Sequence, residues 1–173
     1  MAVDRVKVLV SSCLLGEKVR YHGGDAALDH PVLERWRREG RIVPVCPEVG
    51  GGLPTPRPPA EIQGGGGADV LSQAAFVRRR DGVDVTDQFR RGAEAAVALA
   101  REHGISVAVL KDLSPSCGTT TLYDGSFSGG HVAGQGVTAA ALQQAGVRVF
   151  SERELDKADE ALSEGPQPRP HRT

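Results

Sequence analysis

Apolar residues along this chain gather into short runs instead of alternating with polar ones. Val6–Ser11, Ile42–Val45, Ser106–Leu110 and Val147–Phe150 are such runs, and each predicts a strand buried on both faces. Between them the spacing turns helical. Pro31–Arg38 predicts a helix, with Asp29 near its start and Gly40 beyond its end. Phe89, Ala93, Ala96, Val97 and Ala100 share one helical face, which predicts a helix capped by Thr86 and ended at Gly104. Val137–Gln144 and Glu152–Leu162 predict two more helices. Strand and helix alternate. The expected fold is therefore α/β: one domain over residues 1–164, an open, mostly parallel, Rossmann-like sheet with helices on both faces.

Other stretches break this rhythm. Ser12–Asp29 and Lys111–Gly118 predict loops. Pro47–Gly67 is dominated by Gly and Pro, which disfavour both helix and central strand, so it predicts a long loop, functional near Cys46 and mobile near Gly64–Gly67. Ala75–Arg79 and Val83–Val85 flank Asp81-Gly82, a hairpin signal. Leu122–Gly130 predicts a turn or small hairpin. The Pro-rich tail, 165–173, is expected to be disordered.

Composition narrows the classes of function. The 173 residues carry a net charge of −1, so no basic field draws the chain to nucleic acid or an anionic membrane. Aromatics make up 4%, too few for platforms that stack single-stranded bases. No apolar run has the length of a membrane span, and the first residues do not read as a secretory leader. A cytoplasmic protein with a small-molecule partner is expected, with neither membrane nor nucleic acid involved. In that reducing setting three cysteines point to metal, catalysis or burial before disulfides.

Each cysteine follows a predicted strand: Cys13 the first, Cys46 the second, Cys117 the third. In an open parallel sheet the strand carboxyl ends share the edge where ligands bind, so topology brings the three together. Their neighbours are Ser, Pro and Gly, not the apolar runs in which a core-filling cysteine sits. Soft thiolates suit an iron–sulfur cluster or zinc. A zinc site would add His22, His30, His131 or a water. Spacing alone leaves both metals open.

The motifs Val10-Ser11-Ser12-Cys13-Leu14-Leu15-Gly16, Cys46-Pro47-Glu48 with Gly51-Gly52-Leu53-Pro54-Thr55-Pro56-Arg57, and Ser114-Pro115-Ser116-Cys117-Gly118 resemble a bacterial family whose characterised members are [4Fe–4S]-dependent thiouracil desulfidases. Tyr123–Gly129 and Gly136–Ala140 extend the likeness, which runs in order from about Val6 to Glu152. The resemblance implies a [4Fe–4S] cluster held by Cys13, Cys46 and Cys117 with one open iron, and loading by iron–sulfur assembly machinery. It implies catalytic roles for Glu48 and Ser114, and thiolated uracils, nucleosides or nucleotides as substrates. Some relatives with an extra domain act on thiouridine in RNA; the length of this chain leads to the expectation of a free small substrate instead. His22 departs from the pattern, standing where an acidic residue is expected before Gly23-Gly24.

On local sequence alone Glu48 reads as a turn cap or as the partner of Arg57, and Ser114 and Ser116 as serines bonded to their own backbone. Arg57, stiffened by neighbouring prolines, is a candidate either for substrate contact or for structural pairing. Lys111 and Ser116 are further candidates for substrate contact. The competing functions are a zinc hydrolase with a three-cysteine site and a non-catalytic carrier of sulfur or iron–sulfur clusters.

Overall fold

The structure, a computed structural model, describes residues 5–165. Chain order begins β1 (Val8–Ser11), a 3-10 turn (Ser12–Leu15), α1 (Pro31–Arg38), β2 (Ile42–Val45) and α2 (Pro47–Gly50). It continues with β3 (Ala60–Gln63), α3 (Gly67–Leu71), β4 (Phe76–Arg79), α4 (Thr86–Glu102) and β5 (Val107–Leu110). It closes with β6 (Thr121–Tyr123), β7 (His131–Ala133), α5 (Val137–Gln144), β8 (Arg148–Ser151) and α6 (Leu155–Glu164).

The four apolar runs form one parallel sheet in the order β2-β1-β5-β8. Each strand offers side chains alternately to the two faces, and helices cover both. Val8, Val10, Val107 and Val109 pack with Val32, Leu33 and Trp36 of α1 and Leu155, Ala158 and Leu162 of α6. Leu9, Ala108 and Leu110 pack the other way, against Ala96 and Ala100 of α4 and Ala139 and Leu142 of α5. Trp36 is fully buried, and its indole N–H donates to Asp159 Oδ1 of α6 at 3.1 Å, so burying the ring strands no donor. After β1 the chain crosses to β2 on one side and later returns to β5 on the other. The strand order reverses beside β1, and a cleft opens there at the carboxyl edge.

Two antiparallel ribbons stand beyond that edge: β3 with β4, and β6 with β7. The first corrects the expectation of one long loop over Pro47–Gly67. Pro47 starts the short α2, Ala60–Gln63 is a strand, and Gly67 opens α3. The β3 run is half polar and finds its partner across the chain in Phe76–Arg79, a pairing that local composition does not announce. Gly64–Gly67 is tied down as well: Asp69 Oδ2 accepts from Gly66 N at 2.8 Å, and Gly67 N donates to Gln135 O at 2.7 Å. The predicted hairpin around Asp81-Gly82 is reduced to a turn and one bridge, Arg78 to Asp84.

α1 starts just after Asp29 and is capped by His30, its Nδ1 accepting from Val32 N at 3.1 Å. One cap differs from expectation: the Thr86 hydroxyl accepts from Val77 N at 2.9 Å, while Asp84 accepts from Thr86 N at 2.8 Å at the start of α4. Among the described residues no helix is long and apolar enough to cross a membrane. The tail expected to be disordered lies, past Gly165, outside the described residues.

Candidate active site

A cavity of about 540 Å³ opens at the carboxyl edge. Its lining includes Cys13, Cys46 and Cys117 together with Glu48, Arg57, Lys111, Ser114 and Ser116, so all eight residues singled out from the sequence meet in one place. Three chain reversals bring them there. Cys13 sits in the 3-10 turn that follows β1, its carbonyl accepting from Gly16 N and Ala26 N. Cys46 caps the N-terminus of α2 after β2. Cys117 lies in the loop that joins β5 to β6.

The Cys46-Pro47-Glu48 turn is set by a close backbone approach. Gly92 of α4 faces the Pro47 carbonyl and Gly51 faces the Gln88 carbonyl; a Cβ on either glycine would overlap that oxygen. α2 therefore rests on α4 with no side chain between them, and its first residues are held at fixed height above the cleft.

Glu48 is placed by both its oxygens. Oε1 accepts from Arg57 Nε at 3.1 Å; the pair is 16% and 5% exposed. Arg57 also donates to Pro54 O, Thr55 Oγ1 and Val19 O. Every nitrogen of its guanidinium is thus engaged within the protein, which favours the pairing role over substrate contact. Oε2 accepts from Ser116 Oγ at 2.9 Å and lies 3.3 Å from Ser114 Oγ. Ser114 Oγ accepts the N–H groups of Ser116 and Cys117, at 3.2 and 3.1 Å. Both its lone pairs are occupied, so its proton turns toward Glu48 or Ser116. The local reading of Ser114 as a turn serine and its placement beside Glu48 hold together: the turn aims the hydroxyl.

Lys111 is half-buried and pairs with Glu152 at 3.3 Å; its Nζ also donates to the Asp112 carbonyl. Asp112 was not legible as a site residue. Buried at 2% exposure, it gathers the N–H groups of Leu113, Thr119, Thr120 and Thr121 on Oδ1 and the Thr120 hydroxyl on Oδ2. Burial works against its charge, but the Thr120 hydroxyl and these backbone donors outweigh it and bring the carboxyl to about 2. The loop bearing Ser114, Ser116 and Cys117 is wrapped around this one carboxylate. An Asp two residues beyond the end of β5, opening the loop, is the faint signal that could have flagged it.

All three cysteines are free. Burial pushes the Cys117 thiol up to about 12 against hydrogen bonds from Ser11 and Ser116. Burial first and the nearby Cys46 second raise Cys13 to about 11. Burial also raises Cys46, against the N–H groups of Val49 and Glu48. A coordinated cation reverses this preference and draws thiols into the thiolate form. Among the described residues no histidine lines the cavity. His30 is spent on its cap, His131 stacks edge-on to Tyr123, and His22 Nδ1 accepts from Gly24 N at 3.0 Å. That last bond is the one an acidic side chain makes in an Asx turn, so His22 keeps the turn despite its departure from the pattern. Among the described residues no three His, Cys, Asp or Glu side chains are grouped as a single metal ion requires. Three free thiols on one roomy cavity are a soft donor set that fits a sulfur-ligated group.

A parallel α/β sheet whose switch point gathers three thiols and a hydrogen-bonded carboxylate has the architecture of proteins that bind ligands at the strands' carboxyl ends. The chain belongs to the 2-thiouracil desulfurase family, whose profile matches residues 8–154. It is 48% identical over 149 residues to YbbK of Bacillus subtilis (strain 168), an uncharacterized protein, covering 86% of this chain and 97% of that one. It is also similar to a solved structure described as the [4Fe–4S]-dependent thiouracil desulfidase TudS. That match has a TM-score of 0.86 and 45% identity, over 93% of this chain and all of the other.

Proposed function

We propose that this chain is a [4Fe–4S]-dependent desulfidase that converts a thiolated uracil, or the matching nucleoside or nucleotide, to the oxo compound and hydrogen sulfide. The observation that carries the reading is the convergence of three free thiols and the Glu48–Ser114–Ser116 group on one cavity. Family membership and the similarity to TudS support it. Cys13, Cys46 and Cys117 hold the cluster. When bound, it supplies an open fourth iron as a Lewis acid for the substrate's thiocarbonyl sulfur.

The chain's own residues do the rest. Arg57 fixes Glu48 through Oε1 and leaves Oε2 facing the serine hydroxyls. Oε2 takes a proton from a water that attacks the thiocarbonyl carbon, as a general base placed by its partners. Ser114 and Ser116 hold that water or a ring heteroatom of the substrate, and Lys111 stands beside them at the mouth of the loop. Glu48 then returns its proton to the departing sulfur. Water supplies the oxygen and both protons of the sulfide, so the reaction transfers no net electrons. Loading by iron–sulfur assembly machinery and a cytoplasmic setting belong to the same proposal.

The test is sulfide and uracil release from 2- and 4-thiouracil by anaerobically prepared protein, with Glu48→Gln alongside. Equimolar sulfide and uracil from the wild type, lost in the variant, supports the reading. An iron-bearing protein that turns over no thiocarbonyl is a carrier instead.

A further inference from the structure

Glu61 is a buried carboxylate that the chemistry above leaves unused. It sits on β3 at 8% exposure and lines the cavity. Its Oε1 accepts from the backbone N–H of Gly125 at 2.9 Å and of Phe127 at 3.3 Å, which ties the β6–β7 turn to β3. Gly125 takes φ +90° there, and a Cβ would press on the Ile62 carbonyl at 2.7 Å, so the turn lies directly against the strand. Oε2 has no hydrogen-bond partner among the described residues.

Nor does a cation among the described residues form an ion pair with the group. The ion pairs of this cavity are Arg57 with Glu48 and Lys111 with Glu152. Arg78, opposite Glu61 in the β3–β4 register, is exposed and lies over the Phe76 ring at 5.4 Å. Arg80, on the same wall, lies over Phe127 at 5.9 Å and donates to the Phe127 carbonyl. Anchoring two N–H groups needs only one neutral oxygen, and a glutamine would supply it without burying an unpaired charge. A carboxylate with one oxygen anchored and the other open to the cavity is an oriented acceptor awaiting a donor.

We infer that Glu61 is a specificity-determining residue, its Oε2 accepting a hydrogen bond from an N–H or O–H of the substrate. The inference rests on the desulfidase reading for the substrate's identity. A uracil ring carries N–H groups whether free or ribosylated; only the nucleoside and nucleotide add sugar hydroxyls. Tyr21, Tyr123 and Phe127 line the same cavity, aromatic surroundings suited to such a heterocycle.

Glu61→Gln tests it, because the amide oxygen keeps the Gly125 and Phe127 anchors while Oε2 becomes a donor. Binding of the oxo products uracil and uridine to anaerobic holoprotein is measured by calorimetry, and KM and kcat are measured with thiouracil and thiouridine. Loss of a hydrogen bond to a charged group predicts about 10-fold or more weaker product binding and higher KM, with kcat changed far less. Weakening of both products assigns a ring N–H as the donor; weakening of uridine alone assigns a sugar hydroxyl. Unchanged binding and KM overturn the inference and leave Glu61 as an anchor of the turn. A probe on the ligand side needs no variant to fold. 2-Thiouracil methylated on both ring nitrogens has no donor, so wild type and Glu61→Gln should bind it alike, and a persisting difference overturns the inference. Wild-type protein that binds neither product and releases no sulfide overturns the desulfidase reading itself.

Discussion

The two walls of the cavity are built on opposite plans. The sheet-edge wall carries Cys13, Cys46, Cys117, Glu48, Ser114 and Ser116, and its oxygens are bonded to one another or to backbone within the first residues after three core strands. The ribbon wall carries Glu61 and Tyr123 on strands of three or four residues outside the main sheet, Arg80 just past β4 and Phe127 in the β6–β7 turn, and it leaves an acceptor open. Groups that do chemistry need positions held to a fraction of an ångström, and rigid elements with locked partners give that. Groups that select a ligand need free valences. On the proposed function, this difference would separate catalysis from recognition within one pocket.

The largest effect is expected at the thiols. Replacing Cys13, Cys46 or Cys117 by Ser removes a soft ligand from the wall that has no spare one, and iron content and sulfide release should fall to background. Glu48→Gln keeps the Arg57 contact through its amide oxygen but cannot take a proton. It should cost about 10²–10⁴-fold in kcat with iron content retained. Asp112→Asn strains the knot behind Cys117, since an amide nitrogen must then face either backbone donors or the Thr120 hydroxyl. A change behind a ligand of this kind costs about 10–100-fold in metal affinity or activity, read as iron retention under chelator challenge.

Gly92→Ala forces α2 away from α4 and lowers stability by about 1–3 kcal/mol as overpacking does, read from denaturant unfolding. Its displacement of Cys46 and Glu48 should show as reduced kcat beyond the loss of folded protein. The smallest effect is a pH dependence. Asp112 falls from an ordinary 3.8 to about 2 in the folded chain. The stability its ionised form contributes is complete above about pH 4 and is lost as pH falls through about 2. Unfolding midpoints of wild type and Asp112→Asn should therefore converge toward the acid end of that window. A gap between them that widens there would remove Asp112 from the role of anion hub.

The same division governs what could be read from sequence. The sheet-edge wall was legible because its chemistry follows long-buried apolar strands: once Val6–Ser11, Ile42–Val45 and Ser106–Leu110 read as parallel strands, topology alone puts Cys13, Cys46 and the Cys117 loop at one edge. Arg57 was legible as a group pre-placed by prolines, and its pairing with Glu48 was one of the two alternatives open. The ribbon wall was not legible. Ala60-Glu61-Ile62-Gln63 is too short and too polar to announce a strand, and it becomes one only by pairing with Phe76–Arg79. Glu61 and Asp112 owe their meaning to backbone N–H groups distant in sequence, at Gly125 and at Thr119–Thr121, which no local pattern reveals.

The most direct test of the account is the iron, zinc and acid-labile sulfide content of anaerobically prepared wild-type protein, measured before and after thiouracil is added. The account predicts brown protein with about four irons and four labile sulfides per chain, and hydrogen sulfide formed only when thiouracil is present. Colourless protein carrying one zinc per chain would contradict it and make Cys13, Cys46 and Cys117 the ligands of a hydrolase.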